Sequence, residues 1–231
     1  MEPSPSQLDF SRPRDRTMKY RPPDTLLRFH CSNMRVRGIM GPVGSGKSVA
    51  CCQEIFSRAW RQEPWLDGVR RSRAVIVRNT YGELLSTTIK TWQFWFPGAL
   101  CQVKQGAPIT GKIIKALPDG TRMDLELMFL AMDRPDHTRK LLSLEVTFGW
   151  INEAREVPKE IVDALDSRLG RYPPMAVGGP TWIGMFMDTN PPDDGHWWFE
   201  FAEENRPRGW KFFHQPPAVV EIKGQWVKNN G

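Results

Sequence analysis

Gly41-Pro42-Val43-Gly44-Ser45-Gly46-Lys47-Ser48 is the stretch that decides the fold predicted for this chain. It fits the pattern G-x-x-x-x-G-K-[ST], which is typical of a loop that binds nucleotide phosphates. Glycines let such a loop turn tightly and bring its backbone N–H groups close to a triphosphate. Lys47 is expected to reach the β- and γ-phosphates, and the Ser48 hydroxyl is expected to coordinate Mg²⁺.

The sequence on either side of this loop supplies the structural context that the motif requires. Before it, residues 34–40 alternate between apolar and polar side chains, as a β-strand does. After it, apolar residues recur at helical spacing as far as Pro64. The order of strand, glycine loop and helix therefore supports a P-loop, and the helix directs its positive dipole end at the phosphates.

Composition limits the function without deciding it. The chain has 231 residues, 40% of them hydrophobic, and a net charge of +6, which favours a polyanionic partner. Its four cysteines form no C-x-x-C pair, so the sequence indicates neither a zinc cluster nor a disulfide framework. We find no signal peptide and no apolar run long enough to cross a membrane, so no membrane partner is expected.

Strands alternate with helices along the rest of the chain. A basic connection at 68–73 precedes an apolar strand at 74–77, and further strands are predicted at 144–151 and 181–187. Residues 109–130 have the turn and the alternation of an antiparallel hairpin. The pattern predicts an α/β P-loop NTPase of the ASCE or RecA-like type. Its central sheet would be mostly parallel, with helices on both faces and an added antiparallel hairpin.

Three segments follow from this pattern. Residues 1–25 are polar, basic and rich in proline, which predicts an N-terminal arm without a core of its own. Residues 26–215 form the ATPase domain. Residues 216–231 are interpreted as a C-terminal tail or linker.

The second half of an ATPase site is predicted at Trp150-Ile151-Asn152-Glu153-Ala154. Hydrolysis needs a group that orients the attacking water, and it usually needs a carboxylate near Mg²⁺. Both are expected at the end of an apolar strand that lies beside the P-loop strand. Glu153 is therefore the predicted catalytic base.

In motif order, the chain resembles the ATPase domain of phage terminase large subunits. The resemblance is carried by Gly41 to Ser48, by residues 150–154, and by Asp188-Thr189-Asn190-Pro191-Pro192. It implies that Glu153 is the catalytic glutamate of the Walker B motif. It also implies that Thr189 and Asn190 belong to a coupling motif that senses the γ-phosphate. ATP and Mg²⁺ are the implied cofactors.

The same resemblance implies a viral motor that drives double-stranded DNA into a procapsid. The implied partners are DNA, a portal protein and a small terminase subunit. The assembled protein would be a homo-oligomeric ring, and the isolated chain is compatible with a monomer. The implied location is the host cytoplasm, docked on the procapsid. The family's C-terminal nuclease domain has no counterpart in these 231 residues, so we expect no nuclease activity and interpret the chain as the motor domain of a longer protein.

One residue departs from the family pattern. Terminases commonly have Asp where this chain has Asn152, and an asparagine offers a carbonyl oxygen but no charge. We expect Asn152 to hold a Mg²⁺-bound water, with Ser48 and the phosphates contributing more to Mg²⁺ binding. On this basis the sequence predicts that Asn152→Asp is tolerated.

An arginine finger is the last predicted element of the site. Phosphoryl transfer often uses an arginine supplied by a neighbouring subunit. Arg139, in the charged stretch before the Glu153 strand, is the predicted finger; Arg78 and Arg155 remain alternatives. Two other functions also remain open at this point: a P-loop phosphotransferase, and a binding module that uses nucleotide as a switch.

Overall fold

The structure, a computed structural model, describes residues 19–106, 108–222 and 225–229. Its helices are α1 (Asp24–Cys31), α2 (Lys47–Trp60), α3 (Tyr81–Glu83), α4 (Ile89–Trp95), α5 (Thr138–Leu142), α6 (Lys159–Asp166) and α7 (Trp197–Phe199). Shorter 3₁₀ turns lie at Pro135–His137, Ala154–Glu156 and Met175–Val177, and π-helical segments at Leu84–Thr88 and Glu200–Glu204. The strands are β1 (Val36–Met40), β2 (Val69–Arg78), β3 (Gln102–Lys104), β4 (Ile109–Ala116), β5 (Arg122–Ala131), β6 (Phe148–Asn152), β7 (Gly184–Thr189), β8 (Trp210–His214), β9 (Val219–Ile222) and β10 (Gln225–Lys228).

A mixed sheet forms the centre of the fold, as predicted. In the described residues it has eight strands in the order β3-β4-β5-β2-β6-β7-β1-β8. All neighbours from β5 to β8 run parallel, whereas β3, β4 and β5 pair antiparallel. The predicted hairpin is therefore present, and it extends the main sheet because β5 also pairs with β2.

Helices cover both faces of this sheet, because alternate residues of each central strand point to opposite sides. Ala74 and Ile76 of β2 pack into a core shared with α1, α2 and α4. Val75 and Val77 pack into a second core shared with α5 and α6. With both faces buried, the polar chemistry of the domain is left at the strand ends, which is where open parallel sheets bind ligands.

The order of the strands corrects one expectation. The strand that leads to Glu153, β6, does not lie beside the P-loop strand β1; β7 lies between them. Asn152 of β6 is directly opposite Asp188 of β7, and Met40 of β1 is opposite Thr189. The end of β7 is thus inserted between the two halves of the predicted ATPase site.

The predicted basic connection at 68–73 is also wrong, because residues 69–73 belong to β2. This strand pairs with β5 along ten positions, from Val69 opposite Arg122 to Arg78 opposite Ala131. The arginines within it find acidic partners on the structure itself: Arg70 bonds Asp119, Arg71 bonds Asp67 and Arg73 bonds Glu126. Cross-strand and turn pairing explains why such polar residues enter a strand.

Secondary structure is present beyond both predicted ends of the domain. Helix α1 begins at Asp24 and places Leu26 and Phe29 in the core, so the arm joins the domain before residue 25. Most of the predicted arm, residues 1–18, lies outside the described residues. In the predicted tail, β9 and β10 form a two-stranded antiparallel sheet. Among the described residues, no helix has the length and apolar character needed to cross a membrane.

Candidate active site

The P-loop turns tightly between β1 and α2. Gly44 and Gly46 have φ angles of 76° and 87°, a region that favours glycine. A β-carbon at Gly41 would lie 2.4 Å from the backbone oxygen of Gln215, so this position also has room for glycine alone. Helix α2 begins at Lys47 directly after the loop, and within the described residues no side chain caps it. Its first-turn N–H groups therefore remain available to an anion.

Lys47 lies inside the loop and points across it. Its ammonium nitrogen Nζ donates to the backbone oxygen of Pro42 at 2.8 Å and to Asn190 Oδ1 at 3.1 Å. Only 5% of the residue is exposed, and this burial lowers the pKa of Lys47, opposed by the nearby carboxylates of Asp188 and Glu153. A partly desolvated ammonium in a phosphate-binding loop interacts strongly with phosphate charge.

Asp188 is the centre of the hydrogen-bond network next to the loop. Its side chain is fully buried. The Ser48 hydroxyl donates to Asp188 Oδ2 at 2.5 Å, and the indole N–H of Trp150 donates to Oδ1 at 2.7 Å. The amide nitrogen of Asn152 lies 3.1 Å from each carboxylate oxygen. The oxygen of Asn152 points the other way and accepts from the Thr88 hydroxyl at 2.6 Å.

Glu153 follows β6 in an unusual backbone conformation. Its φ and ψ angles are 52° and 57°. Among the described residues other than glycine, only Glu153 has a positive φ. The Glu153 carboxylate accepts from the backbone N–H of Asn190 at 3.3 Å. Burial raises the pKa of Glu153, and the negative charge of Asp188 raises it further. A left-handed non-glycine residue costs about 1–3 kcal/mol, and such conformations cluster at functional sites.

The predicted coupling residues connect these groups. Asn190 contacts Lys47 through its side-chain oxygen and Glu153 through its backbone N–H. The hydroxyl of Thr189 donates to the backbone oxygen of Asn190 at 3.0 Å and accepts from the backbone N–H of Arg155 at 3.3 Å. The end of β7 therefore touches both the phosphate-binding loop and the predicted base.

The three arginines differ in their surroundings. Arg78 is buried at the end of β2, where it bonds Glu156 at 2.8 Å and lies 3.5 Å from the backbone oxygen of Asn152. Arg155 is exposed and donates to the backbone oxygen of Pro191 at 3.1 Å. Arg139 is exposed on α5, and in the described part of the chain it has no hydrogen-bond or ion-pair partner. Arg78 is the last residue of β2, Arg139 follows β5 and Arg155 follows β6, and the carboxyl ends of these three parallel strands share one edge of the sheet.

Two contributors to the site are not evident from the sequence. Asp188 marks only the start of a motif there, and no motif includes Thr88. The signal for Asp188 was a charged residue that directly continues the apolar run 185–187. A carboxylate in such a run is buried and therefore needs strong partners. In the residues that the structure describes, no group of three or more His, Cys, Asp or Glu side chains is placed to hold a metal ion.

Comparison with known proteins supports the fold. No family model matches the chain, and no curated protein matches it. Among solved structures, the large terminase of a thermophilic bacteriophage in complex with ADP has a TM-score of 0.60 and 14% identity, over 84% of this chain and 45% of that one. The same protein with ATP-γ-S has a TM-score of 0.60 and 12% identity, over 84% and 45%.

A second phage terminase is also similar to this chain in structure. The large terminase ATPase domain of Thermus phage P74-26 has a TM-score of 0.51 and 17% identity, over 86% of this chain and 82% of that one. The present chain thus spans less than half the length of the first terminase and most of the length of the Thermus phage domain. It has the P-loop ATPase fold of phage large-terminase ATPase domains.

Proposed function

We propose that this chain is the ATPase motor domain of a phage DNA-packaging terminase, hydrolysing ATP with Mg²⁺ to move double-stranded DNA into a procapsid. The observation that carries the proposal is the position of Asn190, which contacts both Lys47 of the P-loop and Glu153 after β6. ATP hydrolysis requires a cation that binds the phosphates and a group that orients the attacking water. Asn190 brings the candidates for these two parts together.

Each residue has a distinct part in this chemistry. The P-loop N–H groups and Lys47 would bind the phosphates and offset the charge that builds up on them. Ser48 lies where a P-loop holds Mg²⁺, and the metal when bound would neutralise charge on the β- and γ-phosphates. Glu153 would orient the attacking water and accept its proton, a role favoured by the raised pKa of its carboxyl group.

Coupling to DNA would begin at the end of β7. Loss of the γ-phosphate removes the anion that Lys47 faces, so the contact between Lys47 and Asn190 changes in the same step. Asn190 is joined to Thr189 and through it to Arg155. A change at the phosphates would therefore be passed to the segments after β6 and β7, which is the role implied for a coupling motif.

We do not expect Arg70, Arg71 and Arg73 of β2 to form the DNA-binding surface. Arg70, Arg71 and Arg73 are each neutralised by an acidic partner, so they contribute little net charge to a phosphate backbone. The proposed partners are DNA, a portal protein, a small terminase subunit and further copies of this chain in a ring. The proposed place of action is the host cytoplasm, on the procapsid.

The decisive experiment compares ATP turnover of the assembled ring with and without double-stranded DNA. Wild-type turnover should rise with DNA, and Glu153→Gln should lower it by about 10² to 10⁴-fold while ATP binding is retained. Glu160→Gln, an exposed glutamate on α6, is the matched control and should turn over normally. Transfer of phosphate to a small acceptor would indicate a phosphotransferase, and a single turnover without recycling would indicate a switch; either result contradicts the proposal.

A further inference from the structure

Asp188 is a buried carboxylate whose hydrogen-bond partners are all neutral. It is 0% exposed, and its donors are the hydroxyl of Ser48, the indole of Trp150 and the amide of Asn152. In the described part of the chain it forms no salt bridge. Buried charges in proteins are normally paired or coordinate a metal, because an uncompensated charge is strongly disfavoured in a protein interior. Asp188 therefore has no directly bonded cation among the described residues, although the ammonium of Lys47 is near enough to interact with its charge.

The position of Ser48 indicates which cation fits. The serine of a P-loop coordinates the Mg²⁺ that accompanies the nucleotide. Here its oxygen lies 2.5 Å from Asp188 Oδ2, so a serine oxygen and a carboxylate oxygen occupy neighbouring positions at the start of α2. Mg²⁺ prefers oxygen ligands, and it is usually bound by one or two carboxylates together with phosphates and waters.

Asn152 has the orientation of a residue that holds Asp188. A carboxylate oxygen accepts hydrogen bonds only, so the group facing Asp188 is the amide NH₂ of Asn152, at 3.1 Å from both oxygens. The remaining oxygen of Asn152 is used by Thr88. An aspartate at 152 would instead bring two carboxylates within about 3 Å of each other, an arrangement in which both cannot remain charged.

We propose that Asp188 is the carboxylate that binds Mg²⁺ in this site, and that Asn152 is a positioning residue that orients it. The carboxylate that the terminase pattern puts at the end of the base-bearing strand is then supplied by the neighbouring strand, β7. This exchange is possible because Asn152 and Asp188 are directly opposite in the register of β6 and β7. The inference rests on the proposed binding of ATP with Mg²⁺.

The test measures metal binding and does not require turnover. Affinity for ATP-γ-S is determined in excess Mg²⁺ and in EDTA, and Mn²⁺ bound with the nucleotide is counted by electron paramagnetic resonance. The variants are Asp188→Asn, Asn152→Asp and the double exchange Asn152→Asp with Asp188→Asn. Asp163→Asn, an exposed aspartate on α6, is the matched control. Thermal unfolding is followed for every variant.

Loss of a residue that only orients a metal ligand typically weakens metal binding about 10- to 100-fold, so for loss of the proposed ligand itself in Asp188→Asn we expect metal-dependent binding to weaken by at least about 10-fold, with the affinity in EDTA unchanged. The sequence predicted that Asn152→Asp is tolerated; with Asp188 directly opposite, we expect instead that it weakens metal-dependent binding, because two carboxylates then face each other. The double exchange should recover most of the loss, because one carboxylate and one amide again face each other. If Asp188→Asn does not fold, the double exchange decides: metal-dependent binding near the wild-type level supports the inference.

Three results would overturn it. Asp188→Asn with wild-type Mg²⁺ dependence would mean that another group binds the metal. Equal losses in Mg²⁺ and in EDTA would mean that Asp188 only maintains the structure. If the double exchange binds nucleotide without Mg²⁺ dependence, Asp188 and Asn152 are not the pair that binds and positions the metal. A wild-type chain that binds ATP-γ-S with Mg²⁺ but hydrolyses no ATP contradicts the proposed function and leaves this inference intact.

Discussion

Two fully buried carboxylates on neighbouring parts of the fold have opposite surroundings. Glu54 of α2 lies 2.8 Å from Arg37 and 2.7 Å from Arg58, and its other oxygen lies 2.5 Å from His30. Asp188 is as deeply buried, yet its donors are neutral. Burial alone would raise the pKa of Glu54, but the charges of Arg37, His30 and Arg58 hold that pKa well below its usual range.

The difference separates a structural cluster from a site. The charge of Glu54 is satisfied by the protein, so the cluster fixes α2 against α1 and β1 and needs no ligand. Asp188 has neutral hydrogen-bond donors only, with the ammonium of Lys47 near but not bonded to it, and this is the place that we propose for Mg²⁺. Changes around Glu54 should therefore alter stability, and changes around Asp188 and the P-loop should alter ligand binding and turnover. The following predictions test that division, in order of decreasing expected effect.

Lys47→Ala should abolish ATP hydrolysis, since a charge that faces the β- and γ-phosphates is lost; removal of one such group lowers turnover by about 10²–10³-fold or more. Stability should fall by about 1 kcal/mol, the usual value of a hydrogen bond, because within the described residues the side chain of Lys47 hydrogen-bonds only Pro42 and Asn190. Turnover and chemical denaturation are measured together, with the exposed Lys90→Ala as control. Normal hydrolysis by Lys47→Ala would contradict the nucleotide assignment.

Glu54→Ala should show the reverse pattern. Removing the acidic partner leaves Arg37 buried and unpaired, which typically lowers the free energy of unfolding by about 3–5 kcal/mol. Denaturant titration measures this loss, and nucleotide affinity of the fraction that remains folded should stay near the wild-type value. Glu63→Ala, at a surface position after α2, serves as control. A small loss of stability together with a large loss of nucleotide affinity would place Glu54 in the site.

Activity and stability should also differ in their pH dependence. The pKa of Glu153 is raised, so kcat/KM should fall on acidification at a pH above the ordinary glutamate value of about 4.3. The folded-state pKa of Glu54 is depressed, so its contribution to stability is present above the unfolded value and is lost only as pH falls through the lower folded value. Between those limits the protein should be folded and inactive. An acidic limb of kcat/KM at or below about pH 4.3 would contradict this.

Arg139→Ala should have the smallest effect on the isolated chain, because Arg139 is exposed and unpaired within the described residues. In an assembled ring, a finger supplied to a neighbour is worth about 10³–10⁵ in rate. Mixing Lys47→Ala with Arg139→Ala subunits should then restore part of the activity, since some sites combine both intact groups. Arg171→Ala is the control, and an Arg139→Ala ring with full activity would exclude Arg139 as the finger.

Several elements of the fold could be predicted from local sequence patterns alone. The P-loop, the helix after it, the hairpin of β4 and β5 and the position of Glu153 follow from motif spacing and periodicity. The order of the strands did not follow, because pairing of β7 between β1 and β6 is a long-range choice that no local period records. Asp188 was missed for that reason: its importance depends on lying opposite Asn152 and next to Ser48.

The ten-residue length of β2 was missed for a different reason. Arg70, Arg71 and Arg73 break the apolar pattern that marks a strand buried on both faces. Asp67, the partner of Arg71, lies in the turn directly before β2, whereas Asp119 and Glu126 are distant in sequence, and only the folded chain brings them to Arg70 and Arg73. Tertiary pairing thus outweighed the local polarity that predicted a connection.

The backbone of Glu153 has a consequence for how this protein can evolve. A left-handed conformation disfavours any residue with a β-carbon, and glycine there would relieve about 1–2 kcal/mol. Glu153→Gly should therefore be a more stable protein that has lost its carboxylate. Selection for thermal stability alone would favour that inactive variant, whereas selection for turnover keeps the less stable protein with Glu153. The strain at this position is maintained only as long as the side chain is used.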